Sequence, residues 1–228
     1  MKNVFIETSN TKKFFEICDE LSDPRSMVGP SLAMVTGPAG RGKSESAKYY
    51  ATNNEAVYLP PLNIRTPVML LREIAFELGG QRPTRSEHCL TIIQHEMARS
   101  RRLVTVDEAD LIPINALEML RNINERYACP ILMIGEELSG RIASRRRIDS
   151  RIRRRMEFVP VHQGDIAYFF KQALGSKLSG DDAAGILKHC KGDWRPVLTI
   201  ALSIERAMAT CALKEITTDL VKDVLKNG

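Results

Sequence analysis

Eight consecutive residues, GPAGRGKS at positions 37–44, match the pattern G-x-x-x-x-G-K-[S/T] in full. The three glycines allow a tight backbone turn whose N–H groups can surround the oxygens of a phosphate. Lys43 is placed to reach the β- and γ-phosphates of ATP, and Ser44 to hold Mg²⁺. A glycine-rich turn without a ligand is the weaker alternative, because an apolar strand precedes the pattern and a helix follows it. We therefore predict a nucleotide site that includes Gly37, Pro38, Ala39, Gly40, Arg41, Gly42, Lys43, Ser44 and Glu45.

A second group of reactive side chains ends the apolar segment LVTVDEAD, residues 103–110. This pattern is typical of a buried strand with carboxylates at its end. Asp107 is predicted to position Mg²⁺, directly or through water, and Glu108 to act as the base for an attacking water molecule. Asp110 is predicted to cap the helix that follows. Helix capping is also the alternative role for Asp107 and Glu108.

Arginines are concentrated between positions 141 and 155, where eight of them stand against one acid, Asp149. This segment carries a net charge of +7 while the whole chain carries +5, so the basic character is local. A local patch suggests a specific anionic partner, and the planar guanidinium suits phosphate. We predict that Arg145 and Arg146 contact DNA phosphates without sequence preference; a solvated basic face is the alternative. The eight are Arg141, Arg145, Arg146, Arg147, Arg151, Arg153, Arg154 and Arg155.

The segments that position these groups alternate between strand-like and helix-like patterns. We predict buried strands at 31–37, 56–60, 103–110, 130–135 and 156–161, and helices at 10–21, 66–80, 84–100 and 113–127. The helix at 66–80 is expected to be capped by Thr66, and the helix at 84–100 by a capping box of Thr84 and Glu87.

This alternation predicts an α/β fold with a five-stranded parallel sheet, and the phosphate loop in it indicates a P-loop NTPase. The remainder reads as helical, so we predict a nucleotide-binding core over residues 1–161 and a small second, helical domain over 162–228, with the junction near 163–165.

The composition, 43% apolar and 27% charged, is that of a soluble globular protein. The sequence contains no apolar run of the ~18 residues that a membrane span needs, and its start lacks the layout of a signal peptide. Five scattered cysteines, without zinc-site spacing, favour reduced thiols in a cytosol. We therefore expect a cytoplasmic protein without membrane association.

The order of these parts resembles an AAA+ ATPase over nearly the whole chain. Besides the phosphate loop and the acidic strand, it includes the polar end of ILMIGEEL, an arginine before the last strand, and a helical lid with its own arginine. Within that superfamily, GPAGRGKSESAKYYA and NIRTPVMLLREIAFELGG most resemble the ATPases that select target DNA in transposition. These are the MuB type of Mu-like phages and the related TnsC/TniB and ExeA-like proteins.

The resemblance implies ATP and Mg²⁺ as cofactors and assigns roles to further residues. Glu136 occupies the position that senses the γ-phosphate, where Asn, Thr or Ser is usual; the alternative is a loop glutamate in solvent. Arg195, in KGDWRPVLTIALSIERA, would reach the nucleotide from the lid; the alternative is a surface arginine. Arg151 would complete the ATP site of a neighbouring subunit, with Arg147 and Arg154 as the other candidates.

The resemblance also implies a homo-oligomer, a ring or helical filament around duplex DNA. It places Arg65, Arg82 and Arg85 near the DNA; the alternative is that they belong to helix caps and exposed loops. The predicted function is therefore an ATP-dependent, non-specific duplex-DNA-binding ATPase, located in the host cytoplasm if phage-encoded. It would select target DNA and stimulate a transposase. The alternative is an ExeA-like or chaperone-type ATPase that acts on a protein partner.

Overall fold

The computed structural model describes residues 1–27, 29–61 and 63–227. These residues divide into two compact units. One consists of Met1–Asn10, Ala39–Gly42 and the chain from Val159 onward, and the other of Thr11–Pro38 and Lys43–Phe158. The domain boundary predicted between residues 161 and 162 stays a prediction, and the last residue of that lid, Gly228, lies outside the described residues.

The larger unit is built on a parallel sheet with strand order β2-β3-β4-β1-β5 among the described residues. This confirms the predicted five-stranded parallel sheet. The central strands are buried, as expected when helices cover both faces of a parallel sheet. The strands are β1 Leu32–Thr36, β2 Val57–Leu59, β3 Val104–Val106, β4 Ile131–Ile134 and β5 Ile152–Glu157.

The last strand begins four residues earlier than predicted, so its predicted range of 156–161 was wrong. β5 therefore runs through the arginines at 153–155, whose side chains are exposed. It lies at the edge of the sheet beside β1, and Arg153 is an extra residue in the pairing between the two strands. Edge strands commonly carry charges and bulges, so a search for apolar runs does not find their bounds.

Helices cover the sheet and form the C-terminal part of the chain. The described helices are α1 Ser9–Ser22, α2 Lys43–Asn53, α3 Pro67–Gly79, α4 Ser86–Arg99, α5 Ile114–Tyr127, α6 Leu138–Ala143, α7 Arg146–Asp149, α8 Gln163–Leu174, α9 Gly180–Cys190, α10 Trp194–Thr210 and α11 Thr218–Asn227. Thr66 caps α3 as predicted, since its side chain accepts a hydrogen bond from the N–H of Met69. The capping box predicted for α4 was wrong: the N-cap is Arg85, and no described side chain caps this helix.

Each unit has its own hydrophobic core. On one face of the sheet, Leu32 and Met34 pack with apolar residues of α3, α4 and α5, and on the other, Val35 packs with Phe14 and Phe158. The helices α8 to α11 enclose a separate core. Among the described residues, none of the helices combines the length and the apolar character that a membrane span requires.

Candidate nucleotide-binding site

The phosphate loop connects β1 to α2, and α2 begins at Lys43. The N-terminus of this helix therefore lies at the end of the loop, where its N–H groups and dipole favour an anion. Gly37 has φ 128°, and a Cβ on it would lie 2.7 Å from the carbonyl oxygen of Phe158, so only glycine fits there. The Nζ atom of Lys43 donates hydrogen bonds to the carbonyl oxygens of Gly37 (2.5 Å) and Pro38 (2.8 Å). The ammonium group is thus held against the loop.

The tip of the loop, Ala39–Gly42, belongs to the same unit as the C-terminal helices. The N–H of Trp194 donates a hydrogen bond to the Gly40 carbonyl oxygen at 2.9 Å, and Nη1 of Arg41 donates to the carbonyl oxygen of Lys191 at 2.8 Å. Gly40 has φ 74°, and a Cβ there would lie 1.9 Å from Oδ1 of Asp193. Close packing as well as backbone conformation therefore requires glycine at position 40.

Asp107, one of the two predicted metal ligands, bonds to the hydroxyl group of Tyr58, and Ser44, the other, lies beside that hydroxyl. Asp107 follows β3 and is 3% exposed. Tyr58 donates a hydrogen bond to Oδ2 of Asp107 at 2.6 Å. Burial, followed by the hydrogen bond to Asp107, raises the pKa of Tyr58 well above its ordinary value, so the phenol keeps its proton. Tyr58 was not among the predicted site residues.

This arrangement fits Mg²⁺. The ion prefers hard oxygen ligands such as a carboxylate and a hydroxyl, and the structure places one of each beside a single tyrosine hydroxyl. Ser44 and Asp107 are therefore the residues that would hold the ion. When bound, Mg²⁺ supplies charge neutralisation of the nucleotide phosphates.

Glu108, the predicted base, is exposed and has φ 48°, in the left-handed region. Its backbone N–H donates a hydrogen bond to Oδ1 of Asp107 at 2.9 Å. A side chain in this backbone region costs on the order of 1 kcal/mol or more, and such residues cluster at functional sites. The conformation is therefore compatible with the role predicted for Glu108.

Asp110 does not have the role predicted for it. The N-cap of α5 is Pro113, and Asp110 instead accepts hydrogen bonds at Oδ2 from the backbone N–H groups of Glu136 and Glu137, both at 3.3 Å. Asp110 thus joins the chain segments that follow β3 and β4. Its carboxylate also packs against Gly135, where a Cβ would lie 2.3 Å from Oδ1. Glu136 itself is exposed, and its predicted sensing role stays a prediction.

Arg195 lies in the first turn of α10, whose N-cap Asp193 accepts a hydrogen bond from the Arg195 N–H at 2.8 Å. Its exposed side chain lines a cavity of about 750 Å³ within the helical unit, together with His189 and Asp223. The structure thus places Arg195 at a helix start, as predicted, while its contact with a nucleotide stays a prediction.

The arginine segment separates into two groups. Five of the eight side chains bond within the chain: Arg141 to the carbonyl oxygen of Ile112, Arg151 to Glu125, Arg153 and Arg154 to Glu20, and Arg155 to Asp149. The other three, Arg145, Arg146 and Arg147, are exposed, and their side chains form no hydrogen bond or ion pair within the described part of the chain. These three are therefore available to an external anion.

The remaining predicted DNA contacts lie elsewhere on the larger unit. Arg65 is exposed, with Nε 3.5 Å from Oδ1 of Asn63, and Arg85 is exposed at the start of α4. Arg82 forms an ion pair with Glu73 at 2.8 Å, and its Cζ lies 3.9 Å from the centre of the Phe76 ring. Arg82 thus has a structural role, while DNA contact by all three arginines stays a prediction.

A family model described as an AAA domain matches residues 26–141, half of the chain, including the phosphate loop and the acidic strand end. The chain belongs to the AAA domain family. Among solved structures, this AAA protein is similar to Cdc6p from Pyrobaculum aerophilum, with a TM-score of 0.68 and 15% identity, over 99% of this chain and 69% of that chain. This likeness confirms the predicted fold class.

Among curated proteins, the chain is 29% identical over 136 residues to the Mu-like prophage FluMu DNA transposition protein B of Haemophilus influenzae. It is also 29% identical over 134 residues to the ATP-dependent target DNA activator B of Escherichia phage Mu. Each match covers 58% of this chain, and 46% and 41% of the respective relative, so this AAA protein matches less than half of their length. The predicted resemblance to transposition target selectors is confirmed.

Proposed function

We propose that this AAA protein is a Mg²⁺-dependent ATPase that binds duplex DNA without sequence preference, assembles on it as a ring or filament, and directs a transposase to it. The observation that carries the proposal is the phosphate loop together with Asp107, which is bonded to a tyrosine hydroxyl beside Ser44, in a chain similar to a target DNA activator. The exposed arginines at 145–147 support the choice of DNA as the partner.

Within this proposal, each residue of the loop and strand end has a separate task. Lys43 neutralises charge on the β- and γ-phosphates, and the backbone N–H groups at the start of α2 bind their oxygens. Glu108 accepts a proton from the attacking water. Arg151 of one subunit completes the ATP site of the next, so a lone subunit hydrolyses ATP slowly and assembly on DNA accelerates it.

The test compares ATP hydrolysis with and without duplex DNA of unrelated sequences, alongside DNA binding in ATP and in ADP. We expect hydrolysis to be stimulated by DNA, and binding to require ATP and to weaken steeply with salt. Hydrolysis that is indifferent to DNA, together with no ATP-dependent DNA binding, would contradict the proposal and favour an ATPase that acts on a protein partner.

Lys43→Ala tests whether nucleotide binding and DNA binding both depend on the phosphate loop. We expect it to lose nucleotide binding and, with it, ATP-dependent DNA binding. Lys12→Ala is the matched control, since Lys12 is an exposed lysine of α1, outside the phosphate loop. The control should behave as the unmodified protein in both assays.

A further inference from the structure

Tyr58 stands at the carboxyl end of the sheet beside the acidic strand end. β2 pairs with β3 in a register that places Tyr58 opposite Thr105, two residues before Asp107. Both carboxylate oxygens of Asp107 accept hydrogen bonds, Oδ2 from the Tyr58 hydroxyl at 2.6 Å and Oδ1 from the N–H of Glu108 at 2.9 Å. The side chain of Ser44 lies beside the same hydroxyl.

The direction of these hydrogen bonds suits a metal site. A hydroxyl that binds a cation must offer a lone pair to the ion and direct its proton elsewhere. The Tyr58 hydroxyl directs its proton to Asp107 and keeps lone pairs that can accept the proton of the neighbouring Ser44 hydroxyl. A carboxylate that is only 3% exposed needs such donors in place of the water it has lost. Partners of this kind orient the metal ligands, and losing them typically lowers metal affinity by about 10- to 100-fold.

We propose that Tyr58 is a positioning residue for the divalent cation: its hydroxyl aligns Ser44 and Asp107 so that both present oxygen lone pairs to Mg²⁺. The inference rests on the proposed nucleotide-binding function and adds a residue to it. The aromatic ring is half-buried and packs against the core between α1, α2 and the sheet, with Nζ of Lys48 6.0 Å from its centre. The ring therefore keeps its place when the hydroxyl alone is removed.

The test is Tyr58→Phe, with binding of a fluorescent ATP analogue measured in EDTA and during a titration with MgCl₂. In EDTA we expect affinity within about two-fold of the unmodified protein, since the loop and Lys43 are unchanged. For Tyr58→Phe, the Mg²⁺ concentration that gives half of the maximal increase in nucleotide affinity should rise about 10-fold. Preserved binding in EDTA also reports that the variant is folded.

Tyr50→Phe is the matched control. Tyr50 is a buried tyrosine whose hydroxyl, like that of Tyr58, donates to an aspartate, here Asp19 at 2.8 Å, and burial likewise raises its pKa. The Tyr50 hydroxyl connects α2 to α1 rather than to the acidic strand end. Removal of this hydroxyl should therefore leave the Mg²⁺ titration unchanged.

The outcomes separate this inference from the function on which it rests. An unchanged Mg²⁺ titration for Tyr58→Phe, or equal weakening with and without Mg²⁺, would overturn the positioning role alone. Failure of the unmodified protein to bind the nucleotide analogue under any condition would overturn the proposed function, and the inference with it.

Discussion

Nε of Arg151 lies 2.5 Å from Oε1 of Glu125, whose other oxygen accepts a hydrogen bond from Arg121 at 2.6 Å. Burial raises the pKa of Glu125, but the hydrogen bond from Arg151 and the charges of both arginines outweigh it and hold the pKa below its ordinary value. Partly exposed ion pairs of this kind contribute at most about 1 kcal/mol. Arg151, the residue directly before β5, can therefore leave Glu125 for a stronger anion, as its proposed role between subunits requires.

Replacement of Arg151 by alanine should slow DNA-stimulated ATP hydrolysis by about 10³-fold or more, because a guanidinium supplied by a neighbour stabilises charge in the transition state. Nucleotide affinity of the isolated subunit should stay within about two-fold of the unmodified value. Steady-state kcat and binding of a fluorescent ATP analogue measure the two quantities. Arg155→Ala, which removes an exposed arginine paired with Asp149, is the control and should remain active.

Mixing variants tests whether this arginine acts between subunits. Arg151→Ala and Glu108→Gln should each be inactive alone, and a mixture should regain part of the activity where intact sites form from one subunit of each kind. Full activity of Arg151→Ala would remove this residue from the role and direct the same experiment to Arg147 and Arg154.

Gly37→Ala tests the backbone of the phosphate loop. A Cβ there meets the carbonyl oxygen of Phe158 at 2.7 Å, and φ is 128°, so we expect a loss of about 2 kcal/mol in the free energy of unfolding and loss of nucleotide binding. Gly140→Ala is the control, because Gly140 lies in α6 with no described atom within 4 Å of an added Cβ. It should be neutral or stabilising by up to about 1 kcal/mol in urea denaturation. Equal stability of the two variants would contradict this account.

The phosphate loop was predictable because its information is local. Consecutive residues supply the glycines that set its backbone, the lysine that bonds back to Gly37 and Pro38, and the helix start. The same holds for the cap of α3, in which Thr66 bonds to a residue three positions later. Patterns of neighbouring residues therefore sufficed for these features.

The features that sequence analysis missed depend on contacts between distant residues. Tyr58 bonds to a residue 49 positions away, and it becomes part of the site only because β2 pairs with β3. Asp110 bonds to the backbone of a residue 26 positions away, whereas a cap for the next helix was the local expectation. The early start of β5 follows from its place at the sheet edge, which no run of apolar residues reveals.

Glu20 predicts a pH dependence of stability. Its Oε1 pairs with Nε of Arg153 at 3.0 Å and its Oε2 with Nε of Arg154 at 2.7 Å, so it fastens α1 to the edge strand β5. The hydrogen bond from Arg154 is the main cause that lowers the pKa of Glu20 below its ordinary value of 4.5. A carboxyl group with a lowered folded-state pKa contributes stability above its unfolded pKa and loses it as the pH falls through the folded value.

The free energy of unfolding should therefore be higher for the unmodified protein than for Glu20→Gln by about 1 kcal/mol or less between pH 6 and 8. The difference should shrink as the pH falls below 4.5, and also in about 1 M salt, which screens exposed charges. Urea denaturation at a series of pH values measures it. Glu16→Gln, an exposed glutamate of the same helix, should show no such trend, and a difference that grew on acidification would contradict the assignment.

Arg145 and Arg146 predict a salt dependence of DNA binding. Each exposed arginine that contacts a phosphate adds about 0.9 to the slope of the logarithm of affinity against the logarithm of salt concentration. Arg145→Ala combined with Arg146→Ala should therefore reduce this slope by about 1.8, equally for DNA duplexes of unrelated sequence. The control removes the same charge from other exposed positions, Arg25→Ala with Arg126→Ala. Fluorescence anisotropy in the presence of ATP measures the slopes of both double variants. Equal slopes would show that Arg145 and Arg146 act only through the net charge of the protein.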